Sequence, residues 1–109
     1  MEKRDRLYLQ HISDAVEKIL GFTEGVEFED FEKAELLQGA VIHQFLIIGE
    51  AANKVSDEFR DAHPDWPWRG MISMRNKLIH DYFQISLEEV WKTLHENLPE
   101  IKNLLQGEL

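Results

Sequence analysis

The chain contains no cysteine. No disulfide can staple it and no thiolate can hold a metal, so its stability must come from a packed core. Long apolar runs are also missing. The longest uncharged stretch, Leu36 to Gly49, carries Gln38, His43 and Gln44 and is too short to span a bilayer. The first residues, from Met1 to Arg6, are mostly charged and lack an apolar signal core. These absences point to a cytoplasmic protein with no membrane partner. There is no His-Glu-x-x-His or comparable ligand spacing, so the reading includes no metal and no cofactor. Positive charge is scarce: 12 Lys and Arg face 21 Asp and Glu, for a net charge of −9. That balance counts against broad, sequence-independent nucleic-acid binding, which depends on many phosphate contacts.

The charge is unevenly spread. Glu24 to Glu35 holds six acids and one lysine, whereas Trp66 to His80 holds Arg69, Arg75 and Lys77 and no acid. The length of 109 residues, with 43% hydrophobic and 30% charged residues, suits one globular domain spanning residues 1–109. No strand pattern, repeat or low-complexity linker interrupts it.

What is present is helical periodicity. Tyr8, Ile12, Ala15, Val16 and Ile19 predict a first helix from about Lys3 to Leu20, closed by Gly21 and Gly25. Asp30 is a candidate N-cap for a second helix, apolar on most faces through Val55 and therefore expected at the centre of the fold. Ser56 is placed to cap a short helix reaching Ala62. Past the loop His63 to Pro67, with Asp65 as a candidate cap, a third long helix runs to about Asp81. Ser86-Leu87-Glu88-Glu89 fits a capping box for the last helix, which Pro99 is expected to kink. The predicted architecture is an all-α, antiparallel up-down four-helix bundle with one extra short helix.

The stretch from Met71 to Phe83 breaks local rules. On a helix, Met71, Ile72, Leu78, Ile79 and Tyr82 share one face, and Arg75 lies in its middle. Arginine keeps its charge, so it needs an anion or a route to water. Glu50, the only acid between Glu35 and Asp57, is the natural partner. Such a pair would fix helix register, or orient Arg75 to hold a phosphate. Asn76 and His80, four apart, are neighbours on the polar side. Arg75 and His80 lie roughly 140° apart around an ideal helix. They meet only if the helix ends near His80 or if two copies face each other. Arginine, asparagine and histidine together suit phosphodiester chemistry, because imidazole moves protons near neutral pH and guanidinium stabilises charge on phosphate oxygens. The spacing alone also fits a helix-end histidine and a structural arginine. His11, His43, His63 and His95 stand singly, and Trp66, Trp68 and Trp91 read as core rather than as stacking platforms.

Arg75-Asn76-Lys77-Leu78-Ile79-His80-Asp81-Tyr82 resembles the Arg-x4-His-x-Tyr motif of HepT-like proteins, within the HEPN superfamily of small helical bundles. The likeness extends to Ile48-Gly49-Glu50-Ala51, to His63-Pro64 and Pro67-Trp68, to Val90-Trp91 and to Leu98-Pro99. It implies the toxin of a toxin–antitoxin system: a metal-independent endoribonuclease that acts as a homodimer on RNA rather than DNA. In that reading His80 is the general base or acid, Arg75 binds the phosphate, Asn76 positions it and Glu50 supports Arg75. The product is a 2′,3′-cyclic phosphate. Tyr82 matches the tyrosine to which a MntA-like nucleotidyltransferase antitoxin attaches AMP. The alternative is a non-catalytic helical module that docks a nucleotidyltransferase or binds nucleotide.

Overall fold

The computed structural model describes residues 1–109 as an all-helical bundle. The long members are α1 (Lys3–Thr23), α3 (Glu35–Lys54) and α5 (Trp68–His80). The fourth is split into α6 (Leu87–Glu96) and α7 (Leu98–Gln106). Two short helices, α2 (Phe28–Lys33) and α4 (Asp57–Ala62), and a 3-10 turn at Tyr82–Gln84 make the connections. The core is one continuous cluster to which every α-helix contributes. Helix α3 is central, with Val41, Ile42, Phe45, Ile48, Ala51 and Ala52 all buried. No helix is long and apolar enough to cross a membrane.

Several boundaries differ from those the sequence suggests, each for a local reason. Helix α1 runs through Gly21 to Thr23, because Thr23 is buried and its hydroxyl donates to the Ile19 carbonyl at 2.8 Å. The turn falls instead at Gly25, whose φ of +73° favours glycine. Asp30 is not an N-cap: α2 starts after Glu27, and Asp30 sits in its first turn. The expected single second helix is broken at Ala34, whose φ of −102° and ψ of 82° are non-helical. The Gln38 side chain makes that break affordable by donating to the carbonyls of Phe31 and Glu32 at 2.9 and 3.0 Å. Its apolar neighbour Leu36 is left exposed.

Ser56 caps α4 as expected, accepting from the Phe59 amide at 3.1 Å. The same hydroxyl donates to the buried carboxylate of Asp5 at 2.7 Å, and the Ser56 amide donates to Asp5 at 2.8 Å. One side chain thus ties the start of α1 to the start of α4. Asp65 caps nothing; α5 begins after Pro67 without a side-chain cap. Ser86 caps α6 through the Glu89 amide at 3.2 Å, but the reciprocal half of the box is missing because the Glu89 carboxylate pairs with Lys77 at 2.6 Å. The last helix is interrupted at one residue, Asn97, which keeps α-region dihedrals, and Pro99 sits in the first turn of α7, where its missing N–H costs nothing. The tryptophans are structural: Trp66 and Trp68 are buried and stacked at 5.3 Å, and Trp91 packs on Phe31 at 4.8 Å.

His63 fastens the α4–α5 loop to the C-terminus. Its Nδ1 faces the Phe59 carbonyl at 2.9 Å, its Nε2 faces the Glu108 carboxylate at 3.0 Å, and its ring stacks on Phe59. Both neighbours accept hydrogen bonds, so both are satisfied only by the imidazolium. The Phe59 carbonyl, followed by the Glu108 carboxylate and the charge of Asp65, raises the His63 pKa above its usual 6.5 against the opposing effect of burial. Because the pKa is raised on folding, the added stability is fully present below about pH 6.5 and is lost as pH rises through the folded value. The melting temperature of the wild-type chain should therefore exceed that of His63→Gln most at acidic pH, with the gap narrowing above neutrality. A gap that stays constant from about pH 5 to pH 8.5 would remove His63 from this role.

Candidate functional site

The site is built on the contact between α3 and α5. Gly49 faces α5 so closely that a Cβ there would collide with the Cβ of Arg75 and lie 2.8 Å from the Met71 carbonyl oxygen. Glycine lets the two backbones approach, and one turn of α5 lies directly on α3. The approach sets Arg75 beside Glu50, the residue after Gly49. Arg75 donates from Nε and Nη2 to one Glu50 carboxylate oxygen at 3.1 and 2.6 Å, and from Nη1 to the Asn76 side-chain oxygen at 2.9 Å.

The ion pair suggested by Glu50, the only acid between Glu35 and Asp57, is present, but it is not sealed. The Arg75 side chain is 27% exposed and that of Glu50 45%. Each terminal nitrogen of the guanidinium keeps an uncommitted N–H, as does the Asn76 amide. This is a held but accessible cation, able to meet an anion without first breaking its own support.

His80 is the last residue of α5 and is exposed, with neither ring nitrogen bonded within the chain. The chain brings together Arg75, Asn76 and Glu50; it does not bring His80 into that group. Tyr82 lies beyond the helix in the 3-10 turn. The expected dry face of the focal helix is accordingly shorter than its periodicity implies. Met71 and Leu78 are buried and Ile72 partly so, while Ile79 and Tyr82 are exposed. In the last turn of α5 only Leu78 turns into the core, against the α6 side, and Ile79 faces away from it. Phe83 follows, 99% exposed. No group of three or more His, Asp or Glu side chains is arranged to hold a metal ion.

Against known proteins, residues 12–107 match the family model described as ribonuclease HepT-like. The chain belongs to the HepT-like ribonuclease family. It is 42% identical over 102 residues to a protein of Thermococcus cleftensis named as a probable ribonuclease HepT, covering 94% of this chain and 93% of that one. It is also similar to proteins named as candidate RNases. One, from Caldanaerobacter subterraneus subsp. tengcongensis, is 38% identical over 97% of this chain and 98% of its own. Another, from Methanocaldococcus jannaschii, is 36% identical over 94% of each chain. No solved structure matches. The helical bundle and the family are thus those the sequence motifs suggest.

Two features of this HepT-like site escaped the sequence. Gly49 was legible only as part of a family-like string, although a glycine inside the apolar body of a helix, one residue before an isolated acid, is itself a signal of close helix approach. The Lys77–Glu89 bridge, which spans from α5 to α6 across a cleft floored by Met74 and Leu78, left no signal because its partners belong to separate helices. Gly49→Ala should lower stability by about 3 kcal/mol, since a backbone oxygen and a Cβ cannot swing aside. The melting temperature should fall by roughly 10–20 °C. A melt within a few degrees of wild type would mean that α3 and α5 separate freely and that their contact does not set the site.

Proposed function

We propose that this chain is a metal-independent endoribonuclease, the toxin of a toxin–antitoxin pair, working in the cytoplasm as a homodimer of one-domain subunits. The observation that carries the reading is Arg75: a guanidinium held by Glu50 and Asn76, 27% exposed and with an uncommitted N–H on each terminal nitrogen, on the same helix as an unpaired histidine. Membership of the HepT-like ribonuclease family supports RNA as the substrate.

In this mechanism the imidazole of His80 takes the proton of a ribose 2′-OH as its oxygen attacks the adjacent phosphorus. The bond from phosphorus to the 5′-oxygen breaks, and that oxygen leaves with a proton supplied by an imidazolium, giving a 2′,3′-cyclic phosphate and a 5′-hydroxyl. Arg75 binds the phosphate and offsets the charge that builds on its free oxygens. Asn76 positions the phosphate through its amide N–H, and Glu50 keeps the guanidinium in place. A second copy of the chain would bring its own motif to the cleft, answering the separation of Arg75 and His80 around one helix. The exposed Ile79, Tyr82 and Phe83 beside His80 favour such a covered surface. Tyr82, half-exposed and just past His80, is accessible to a nucleotidyltransferase antitoxin; AMP placed there would add bulk and negative charge where RNA must approach.

The engagement of Arg75 and Asn76 within the chain favours a second reading, a binding module in which the arginine is structural. His80→Ala separates the two. It should abolish RNA cleavage while the circular dichroism, melting temperature and sedimentation behaviour stay as in wild type, and wild-type cleavage should persist in EDTA and leave cyclic phosphate ends. Equal cleavage by His80→Ala would exclude the catalytic role. For the antitoxin step, incubation with a MntA-like nucleotidyltransferase and ATP should add the mass of AMP to the wild-type chain and not to Tyr82→Phe. Labelling that survives Tyr82→Phe would place the modification elsewhere.

A further inference from the structure

Arg69 is an arginine of this strongly acidic chain that the mechanism does not use. The ion pairs of the structure engage Arg60, His63, Arg75, Lys77 and Lys102, and Arg69 makes none. It lies on α5 within the acid-free stretch from Trp66 to His80. Its register matters. Ser73, Asn76 and His80 follow it by four, seven and eleven residues, so all four side chains leave the helix within roughly 60° of one another. All four are exposed. They form one polar stripe on the solvent side of a helix whose other side is buried on α3.

The stripe lies along a surface depression. Arg60 of α4 meets Arg69, Ser73 and Asn76 there, over a floor of Trp68 and Ile72. Trp68 is fixed, buried against Phe59 and Trp66 and donating its indole N–H to the His63 carbonyl at 2.9 Å. Arg60 is steadied by Asp57 at 2.7 Å through one terminal nitrogen, which leaves its other donors open. Two guanidiniums and a hydroxyl beside a fixed indole are a donor set suited to phosphate oxygens, and Asn76 at the edge of the same depression joins it to the Arg75 site.

We propose that Arg60, Arg69 and Ser73 form a second phosphate subsite, which takes the RNA backbone on one side of the cleavage point. The proposal rests on the ribonuclease reading above and extends it from one phosphate to a track. Arg69 lies about 16 Å along the helix axis from His80, eleven residues at 1.5 Å each, so the track holds a backbone phosphate several nucleotides from the scissile bond. Substrate then follows the acid-free side of α5 and avoids the acidic connector Glu24 to Glu35. A chain of net charge −9 can in this way hold RNA in one orientation without broad affinity for it. Arg69 is a positioning residue here: it touches the substrate remote from the reacting atoms.

The test uses the full chain and a fluorescein-labelled 2′-O-methyl RNA, which lacks the attacking hydroxyl and so reports binding alone. Anisotropy is followed against KCl concentration. Arg69→Ala should weaken binding about five- to tenfold at low salt and reduce the slope of log K against log salt by about 1. Arg69→Lys should recover most of the slope, and Lys18→Ala, on the distant end of α1, should leave it unchanged. In cleavage assays Arg69→Ala should raise KM on a long RNA with kcat unaltered, and match wild type on an RNA truncated short of the subsite. Unchanged binding and slope in Arg69→Ala, an equal fall in Lys18→Ala, or no binding by the wild-type chain would each overturn the subsite. These results are separable from the nuclease question: cleavage by His80→Ala at the wild-type rate would remove the mechanism, while the anisotropy series still decides whether RNA lies along the stripe. Because Arg69 is exposed and unbonded, Arg69→Gln offers a second variant of normal fold with the same expected loss of slope.

Discussion

Everything at the site follows from the contact of α3 and α5 at Gly49. Two helices normally stand apart by the width of their side chains. Here one residue without a Cβ removes that spacer, and the Arg75 stem and the Met71 carbonyl move into the space. The approach places a guanidinium within reach of the only carboxylate on the middle of α3. That carboxylate faces outward enough to stay half in water, so the pair avoids the full desolvation cost of a buried one. An exposed pair of this kind contributes little to stability. Its value is orientation: the guanidinium is anchored on one edge and open on the other.

A second constraint lies at the end of α5. Leu78 in its last turn is buried, whereas Ile79 and His80 on the same turn, and Tyr82 and Phe83 in the 3-10 turn that follows, are exposed. The His80 imidazole at that end is exposed and makes no hydrogen bond within the chain. The apolar residues beside it carry the opposite implication, since water is a poor neighbour for Ile79 and Phe83. Both properties fit the proposed homodimer, in which a second copy would cover the apolar residues and leave the imidazole open to RNA.

Much of this was legible in the sequence because it depends on local pattern. The 3.6-residue periodicity identified the helices, the isolation of Glu50 among apolar residues identified the partner of Arg75, and Ser56 and Ser86 announced helix starts. The misses occur where a distant side chain overrides a local preference. The break at Ala34 depends on Gln38 reaching back to two carbonyls, and nothing in the residues around Ala34 itself forbids helix. The continuation of α1 past Gly21 depends on the burial of Thr23. Glu89 left its capping role for Lys77, a competitor twelve residues away. Periodicity places Tyr82 on the helix face because it shows phase but not where a helix ends, and α5 ends at His80.

The same limit bears on chemistry. Helical phase alone puts Arg75 and His80 roughly 140° apart, and folding the chain does not close that angle, because both stay on one straight helix. Arg75 is turned towards α3 by Glu50, whereas His80 is exposed on the solvent side of α5. A phosphate contacting both groups within one subunit would have to lie across the exposed side of α5, over Asn76. Asn76 lies between them in phase and has its amide N–H free on that side. Such a phosphate would approach the Arg75 donors that Asn76 does not occupy. Asymmetry on the helix therefore selects the route. The side of α5 bearing Asn76 and His80 is the only one where guanidinium, carboxamide and imidazole are reachable together, whether the imidazole comes from the same chain or from a second copy facing it.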